Sequence, residues 1–96
     1  MNGFQVEYRP EIHSDLDRLP ANVQARIKKA VESRLAAAPQ HYGERLRRSL
    51  LDLWKLRVGD YRVIYELKGK KVTLWMIAHR KEVYEEIGKR WSKYAD

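Results

Sequence analysis

The run from Leu53 to Glu66, LWKLRVGDYRVIYE, is the stretch around which the rest of the chain has to arrange itself. Trp54, Leu56 and Val58 alternate with Leu53, Lys55 and Arg57. After Gly59-Asp60, Tyr61, Val63 and Tyr65 alternate with Arg62, Ile64 and Glu66. Period-two alternation rich in β-branched and aromatic residues predicts two strands. The glycine between them predicts a tight turn, because it tolerates the positive φ that hairpin turns need. Lys55, Arg57 and Arg62 then sit on neighbouring strands, close enough to repel one another. A sheet built for stability alone sets opposite charges across from each other. A cluster of one sign implies that an anion is received there. The bland alternative is that the arginines pair with Glu66, Glu82 or Glu85.

The flanking sequence supplies the other elements. Phe4, Val6 and Tyr8 alternate, which predicts a strand over 3–9. Pro10 ends it and opens a short helix over 10–18, with Ile12, Leu16 and Leu19 on one face. After Leu19-Pro20, residues Val23, Ile27, Ala30, Val31, Leu35 and Ala38 mark the apolar face of a helix over 21–38, which Pro39 stops. His13 falls on a polar, solvated face. Residues 39–49, PQHYGERLRRS, read as a loop. Its Arg45, Arg47 and Arg48, interleaved with Tyr42, suit contact with RNA. Beyond a turn at Lys68-Gly69-Lys70, the run 72–79, VTLWMIAH, is apolar on both faces and belongs in the centre of a sheet. Val83, Ile87 and Trp91 predict a helix over 80–94, with Trp91 as a packing anchor. The order β-α-α-β-β-β-α describes one α+β domain over residues 1–96. It consists of an antiparallel four-stranded sheet, an N-terminal helical hairpin and a C-terminal helix.

Composition narrows the partners. The chain has 96 residues, no cysteine and a net charge of +7. Residues 1–44 hold six Lys/Arg and six Asp/Glu, whereas residues 45–96 hold fourteen and seven, so the whole excess lies in the second part. A one-sided basic field favours nucleic acid, an acidic protein or an anionic membrane. The absence of cysteine rules out disulfides, thiolate zinc sites and a cysteine nucleophile, and fits a reducing cytosol. Without a long apolar run or a signal-peptide pattern, a cytoplasmic protein with no membrane attachment is expected.

The end of the last strand reads Ala78-His79-Arg80-Lys81-Glu82-Val83-Tyr84. An up-down-up meander sets this end beside the start of the 61–66 strand. His79, Arg80 and Tyr84 are therefore expected to join Lys55, Arg57 and Arg62 in one patch. No HExxH or other metal-ligand spacing is present, nor a glycine-rich phosphate loop or a serine elbow, so no cofactor is expected. The patch suits a phosphodiester. Arginine offers phosphate a planar fork of donors, and fixed positive groups stabilise a pentacoordinate transition state. RNA brings its own nucleophile, the 2′-OH. Lys55, crowded by cations, and His79 both stand as candidates for acid–base work.

The run LWKLRVGDYRVIYE followed by IAHRKEVY resembles the RelE branch of the RelE/ParE toxin superfamily, and the matching order of elements spans nearly the whole chain. The resemblance implies a toxin of a type II toxin–antitoxin pair that needs no cofactor. Such a toxin enters the ribosomal A site and cleaves mRNA there, by attack of the 2′-OH on the adjacent phosphate. It implies a cognate antitoxin, acidic or amphipathic, that wraps and silences the toxin, with operator DNA reached only through that antitoxin. It assigns Lys55 as general base, Arg62 as holder of the scissile phosphate and Arg80 as stabiliser of the leaving group or acid. Tyr84 positions substrate, and Arg57 is a further phosphate contact. Two features depart from the pattern. Leu53 stands where some members carry a second lysine, and the segment before Tyr84 is shorter than in some members. The alternatives are a ParE-like toxin that inhibits DNA gyrase without nuclease activity, and a basic RNA-binding domain with no chemistry.

Overall fold

The computed structural model describes residues 3–46 and 53–94. Strands β1 (Gln5–Tyr8), β2 (Glu44–Arg45), β3 (Leu53–Val58), β4 (Tyr61–Lys68) and β5 (Lys71–His79) form one sheet in the order β1-β5-β4-β3-β2. The meander β3-β4-β5 is antiparallel, and both of its turns use a glycine with positive φ, Gly59 at 60° and Gly69 at 59°. As its apolar sequence requires, β5 is an inner strand, flanked by β4 on one side and, along Lys71–Leu74, by β1 on the other.

Two expectations about the sheet are corrected. Among the described residues it has five strands rather than four, and it is mixed rather than antiparallel, because β1 runs parallel to β5 with Gln5 opposite Lys71. The cause is the chain's route: α1 (Pro10–Asp17) and α2 (Ala21–Ala30) carry it away from β1 before the meander starts. The fifth strand is β2, two residues long, inside the segment that reads as loop. That segment also contains a single helical turn, α3 (Pro39–Tyr42), which Pro39 opens. Arg47 and Arg48 lie outside the described residues. The long second helix is α-helical only to Ala30 and finishes as a π-helical turn over Val31–Leu35. The last helix, α4 (Val83–Ser92), begins three residues later than its apolar spacing suggests. No helix among the described residues is long and apolar enough to cross a membrane.

The sheet has a core on each face. On one, Ile12, Leu16, Ile27, Val31 and Leu35 of the helices pack on Leu56, Val63, Tyr65, Leu74 and Ile77. On the other, Val83 and Ile87 of α4 pack on Leu53, Ile64, Trp75 and Met76. A β-bulge between these layers matters for the site. Ile64 pairs with Met76 but Tyr65 pairs with Leu74, so Trp75 is an extra residue in β5. Trp75 and Met76 both enter the α4 core, and every later β5 side chain changes face relative to simple alternation.

A buried ion pair joins the helices to the free part of the β5 edge. Arg90 of α4 donates from Nη1 to Asp15 Oδ2 at 2.8 Å and from Nη2 to Asp15 Oδ1 at 3.0 Å. Arg90 Nη1 also donates to the Trp75 carbonyl at 2.9 Å, and Ile77 N donates to Asp15 Oδ2 at 2.9 Å. The bonds that Arg90 donates to Asp15 push its guanidinium pKa further above its already high value.

Gly43, between α3 and β2, is a position of close approach. A Cβ there would lie 1.8 Å from Tyr65 Oη and 3.0 Å from the Lys55 carbonyl. The Tyr65 hydroxyl is fixed in turn, because it donates to the Pro39 carbonyl at 2.7 Å in a buried site, and burial raises its pKa. Gly43→Ala is expected to cost about 1–3 kcal/mol of stability through overpacking. In the Tyr65→Phe background, where the hydroxyl is gone, the same substitution should cost less. Urea melts of the four proteins check this; equal costs in both backgrounds would refute the proposed clash.

Candidate functional site

Residues Leu53, Lys55 and Arg57 of β3 and Arg62 and Ile64 of β4 point to the α4 side of the sheet. Its apolar end is covered by α4 and its cationic end stays open. Arg57 and Arg62 are directly opposite each other in the register, an arrangement of like charges that lowers the stability of the pair. Among the described residues neither makes an ion pair. The Arg62 guanidinium is nevertheless fixed: Nη1 donates to the carbonyls of Gly59 at 3.0 Å and Tyr61 at 2.9 Å. Its Nε and Nη2 make no bond to a described residue and are available to a ligand. The hairpin turn thus both brings the two arginines together and orients one of them.

Lys55 reaches across to the start of α4. Its Nζ donates to Tyr84 Oη at 2.8 Å and lies 5.3 Å from the Tyr84 ring centre. It also lies 3.6 Å from Glu44 Oε1 of β2, whose residue Glu44 is its register partner. The Lys55 side chain keeps 28% of its exposure and that of Glu44 79%, so this ion pair is solvated and weak. Together Tyr42, Glu44, Lys55, Arg57 and Arg62 line an open cavity of about 240 Å³.

The predicted patch is thus partly assembled. Lys55, Arg57, Arg62 and Tyr84 share one face. Arg80 stands at the hairpin tip, where its N–H donates to the Asp60 carbonyl at 2.8 Å and its Nε lies 3.7 Å from Asp60 Oδ1. It does not line the cavity. His79 is on the opposite face, a consequence of the extra residue in β5. It is the register partner of Tyr61, and the two rings meet edge to face at 5.5 Å. Its Nδ1 accepts a hydrogen bond from Lys81 N at 3.1 Å. Arg45 also belongs to the other face: it pairs with Trp54 and lies 5.7 Å from that ring's centre. Glu44 is the lining residue that sequence reasoning missed. A lone carboxylate in a basic loop carries no signal until the β2–β3 register sets it across from Lys55.

Comparison with known proteins agrees with this architecture. A family model described as "ParE toxin of type II toxin-antitoxin system, parDE" matches residues 6–84. Toxin RelG of Mycobacterium tuberculosis is 26% identical over 83 residues, which cover 84% of this chain and 95% of that protein. The toxin in the RelBE2 toxin–antitoxin complex of the same organism superposes with a TM-score of 0.77 at 26% identity, covering 81% of this chain and 99% of that one. The archaeal RelE–RelB complex from Pyrococcus horikoshii gives a TM-score of 0.67 at 25% identity, with coverages of 83% and 97%. The matched region runs from β1 to Tyr84 and takes in the whole cationic face, and the chain therefore belongs to the ParE toxin family of type II toxin–antitoxin systems, within the RelE/ParE superfamily.

Proposed function

We propose that this toxin is an endoribonuclease that cleaves mRNA on the ribosome. The observation that carries the reading is the cavity where Arg57 and Arg62 face Lys55, itself bonded to Tyr84. In the proposed step the 2′-oxygen of one nucleotide attacks the adjacent phosphorus. Its proton passes to Lys55 in its neutral amine form, the P–O5′ bond breaks, the departing 5′-oxygen takes a proton from solvent, and the products are a 2′,3′-cyclic phosphate and a 5′-hydroxyl. Arg62, with Arg57, holds the non-bridging oxygens and the charge they gain in the pentacoordinate state. Tyr84 positions the substrate. Arg80 serves the departing 5′-oxygen: its contact with Asp60 is long and solvent-exposed, so little opposes a swing toward bound RNA. His79, facing away, has no part in the step. Glu44 sets a second proton acceptor beside Lys55.

The partner of this face in the resting state is a cognate antitoxin, acidic or amphipathic, that covers the cations. Relatives solved as toxin–antitoxin complexes support this part of the reading. Charge complementarity makes the association fast and salt-sensitive. A second reading, ParE-like inhibition of DNA gyrase, is favoured by the description of the matching family model. Induced expression separates the two. Primer extension on cellular mRNA is expected to show breaks within codons, together with arrest of protein synthesis. Intact message with broken chromosomal DNA would overturn the ribonuclease reading in favour of gyrase.

A further inference from the structure

A second cationic hollow lies around the edge of the sheet from the cavity. It measures about 270 Å³, and its lining includes Arg26, Lys29 and Arg34 from the second helix and Arg57 and Gly59 from the hairpin. Among the described residues no acid lines it. Among the described residues, no acid pairs with Arg26, Lys29 or Arg57. The hollow exists because β2 is so short. It pairs only with Trp54 and Lys55, so the β3 edge beyond Lys55 has no described strand against it. The Arg26 guanidinium lies against the turn backbone, where a Cβ on Gly59 would be 3.1 Å from one of its nitrogens.

Two side chains connect this hollow to the cavity. Arg57 lines both. Arg34 lies in the hollow with its guanidinium carbon 6.0 Å from the ring centre of Tyr42, which lines the cavity and is 49% exposed. Four cations facing one space repel each other, so an anionic occupant is the physical reason to gather them. An exposed aromatic between groups of cations is the pattern that single-stranded nucleic acid uses, with phosphates on the cations and a base on the ring.

We propose that this hollow is a second phosphate site for the same RNA strand that enters the cavity. The strand is gripped at the reacting phosphate and again at a flanking one, with a base on Tyr42 between them. The proposal rests on the reading of the cavity as an RNA site. The test uses the full chain and oligoribonucleotides carrying a 2′-deoxy sugar at the reacting position, so that they bind without being cut. One is three nucleotides long with an uncharged methylphosphonate as its second linkage, so that only the reacting phosphate carries charge; the other has nine. For Arg26→Gln/Lys29→Gln, affinity for the nine-mer is expected to fall roughly tenfold, and the slope of log K against log salt to shrink by about 0.7, the value for one phosphate contact on a single strand. Affinity for the three-mer and for the antitoxin should not change, and the latter shows that the variant is folded. Unchanged nine-mer binding, equal losses on both oligonucleotides, or a loss confined to the antitoxin each overturn the proposal. A wild-type chain that shows this length dependence yet leaves mRNA intact refutes the ribonuclease reading and keeps the second site. A chain that cuts mRNA but binds the nine-mer equally well with and without Arg26 and Lys29 does the reverse.

Discussion

Replacing Arg62 by alanine is expected to lower mRNA cleavage on programmed ribosomes by about a hundred- to a thousandfold, the usual loss for one preorganised donor to a developing oxyanion. The size of the effect follows from how the side chain is held. Its Nη1 is committed to the turn carbonyls of Gly59 and Tyr61, so in the proposed step the guanidinium would meet the phosphate without first having to be ordered. Arg62→Lys should recover little of the rate, because an ammonium offers neither the planar fork nor the second anchor to the turn. The fold should hardly notice. The two bonds are to carbonyls near solvent, and their loss should cost about 1 kcal/mol or less. Single-turnover cleavage and thermal melts, measured on the same preparations, separate the effects. A variant that keeps the wild-type rate removes Arg62 from the chemistry.

The largest effect on stability is expected at Asp15, far from the cavity. Asp15→Ala should cost about 3–5 kcal/mol, the penalty for breaking a buried ion pair from one side. Asp15 is 5% exposed and accepts from both Arg90 Nη atoms and from Ile77 N. Alanine leaves a largely buried guanidinium with no counter-charge and the Trp75 carbonyl as its remaining acceptor, and it leaves the buried Ile77 N–H without one. For a domain whose whole stability is of the order of 5–15 kcal/mol, that is a large share. Arg90→Ala should be destabilising too, and the double variant Asp15→Ala/Arg90→Ala should cost less than the sum, since the second change removes the stranded charge. Urea denaturation of the three variants measures this. A loss under about 1 kcal/mol for Asp15→Ala would mean that the clamp is replaceable by water.

The sequence makes some of this architecture plain and conceals the rest for identifiable reasons. The meander could be read because its information is local: alternation along Leu53–Val58 and Tyr61–Lys68, and a glycine at each turn. The convergence of Lys55, Arg57 and Arg62 follows from the same alternation. The parallel pairing of Gln5–Tyr8 with β5 could not be read, since a strand's own residues show that it is a strand but not which way its partner runs. Glu44 and Arg45 were hidden because two residues carry no periodicity. The placement of His79 turned on one inserted residue. Simple alternation from Val72 sets His79 on the cationic face, and the bulge at Trp75 turns it to the other. Tryptophan and methionine side by side look like any apolar run, so the bulge leaves no mark in the sequence. Asp15 reads as one more polar residue on α1 until the distant Arg90 is brought beside it.

The parallel pairing of β1 also bears on when the toxin comes into being during its own synthesis. The chain is made from β1 onward, yet the one strand next to β1 in the sheet is β5, and Gln5 has to wait for Lys71. Bringing such distant segments together carries the full entropy of closing a long loop, and pairings of that kind form late. Tyr84, the contact of Lys55, comes later still, at the start of the final helix. A polypeptide interrupted before residue 71 therefore has neither a closed sheet nor a finished cationic face. In this order of manufacture, the closing of the sheet and the contact between Lys55 and Tyr84 are the last to be put in place.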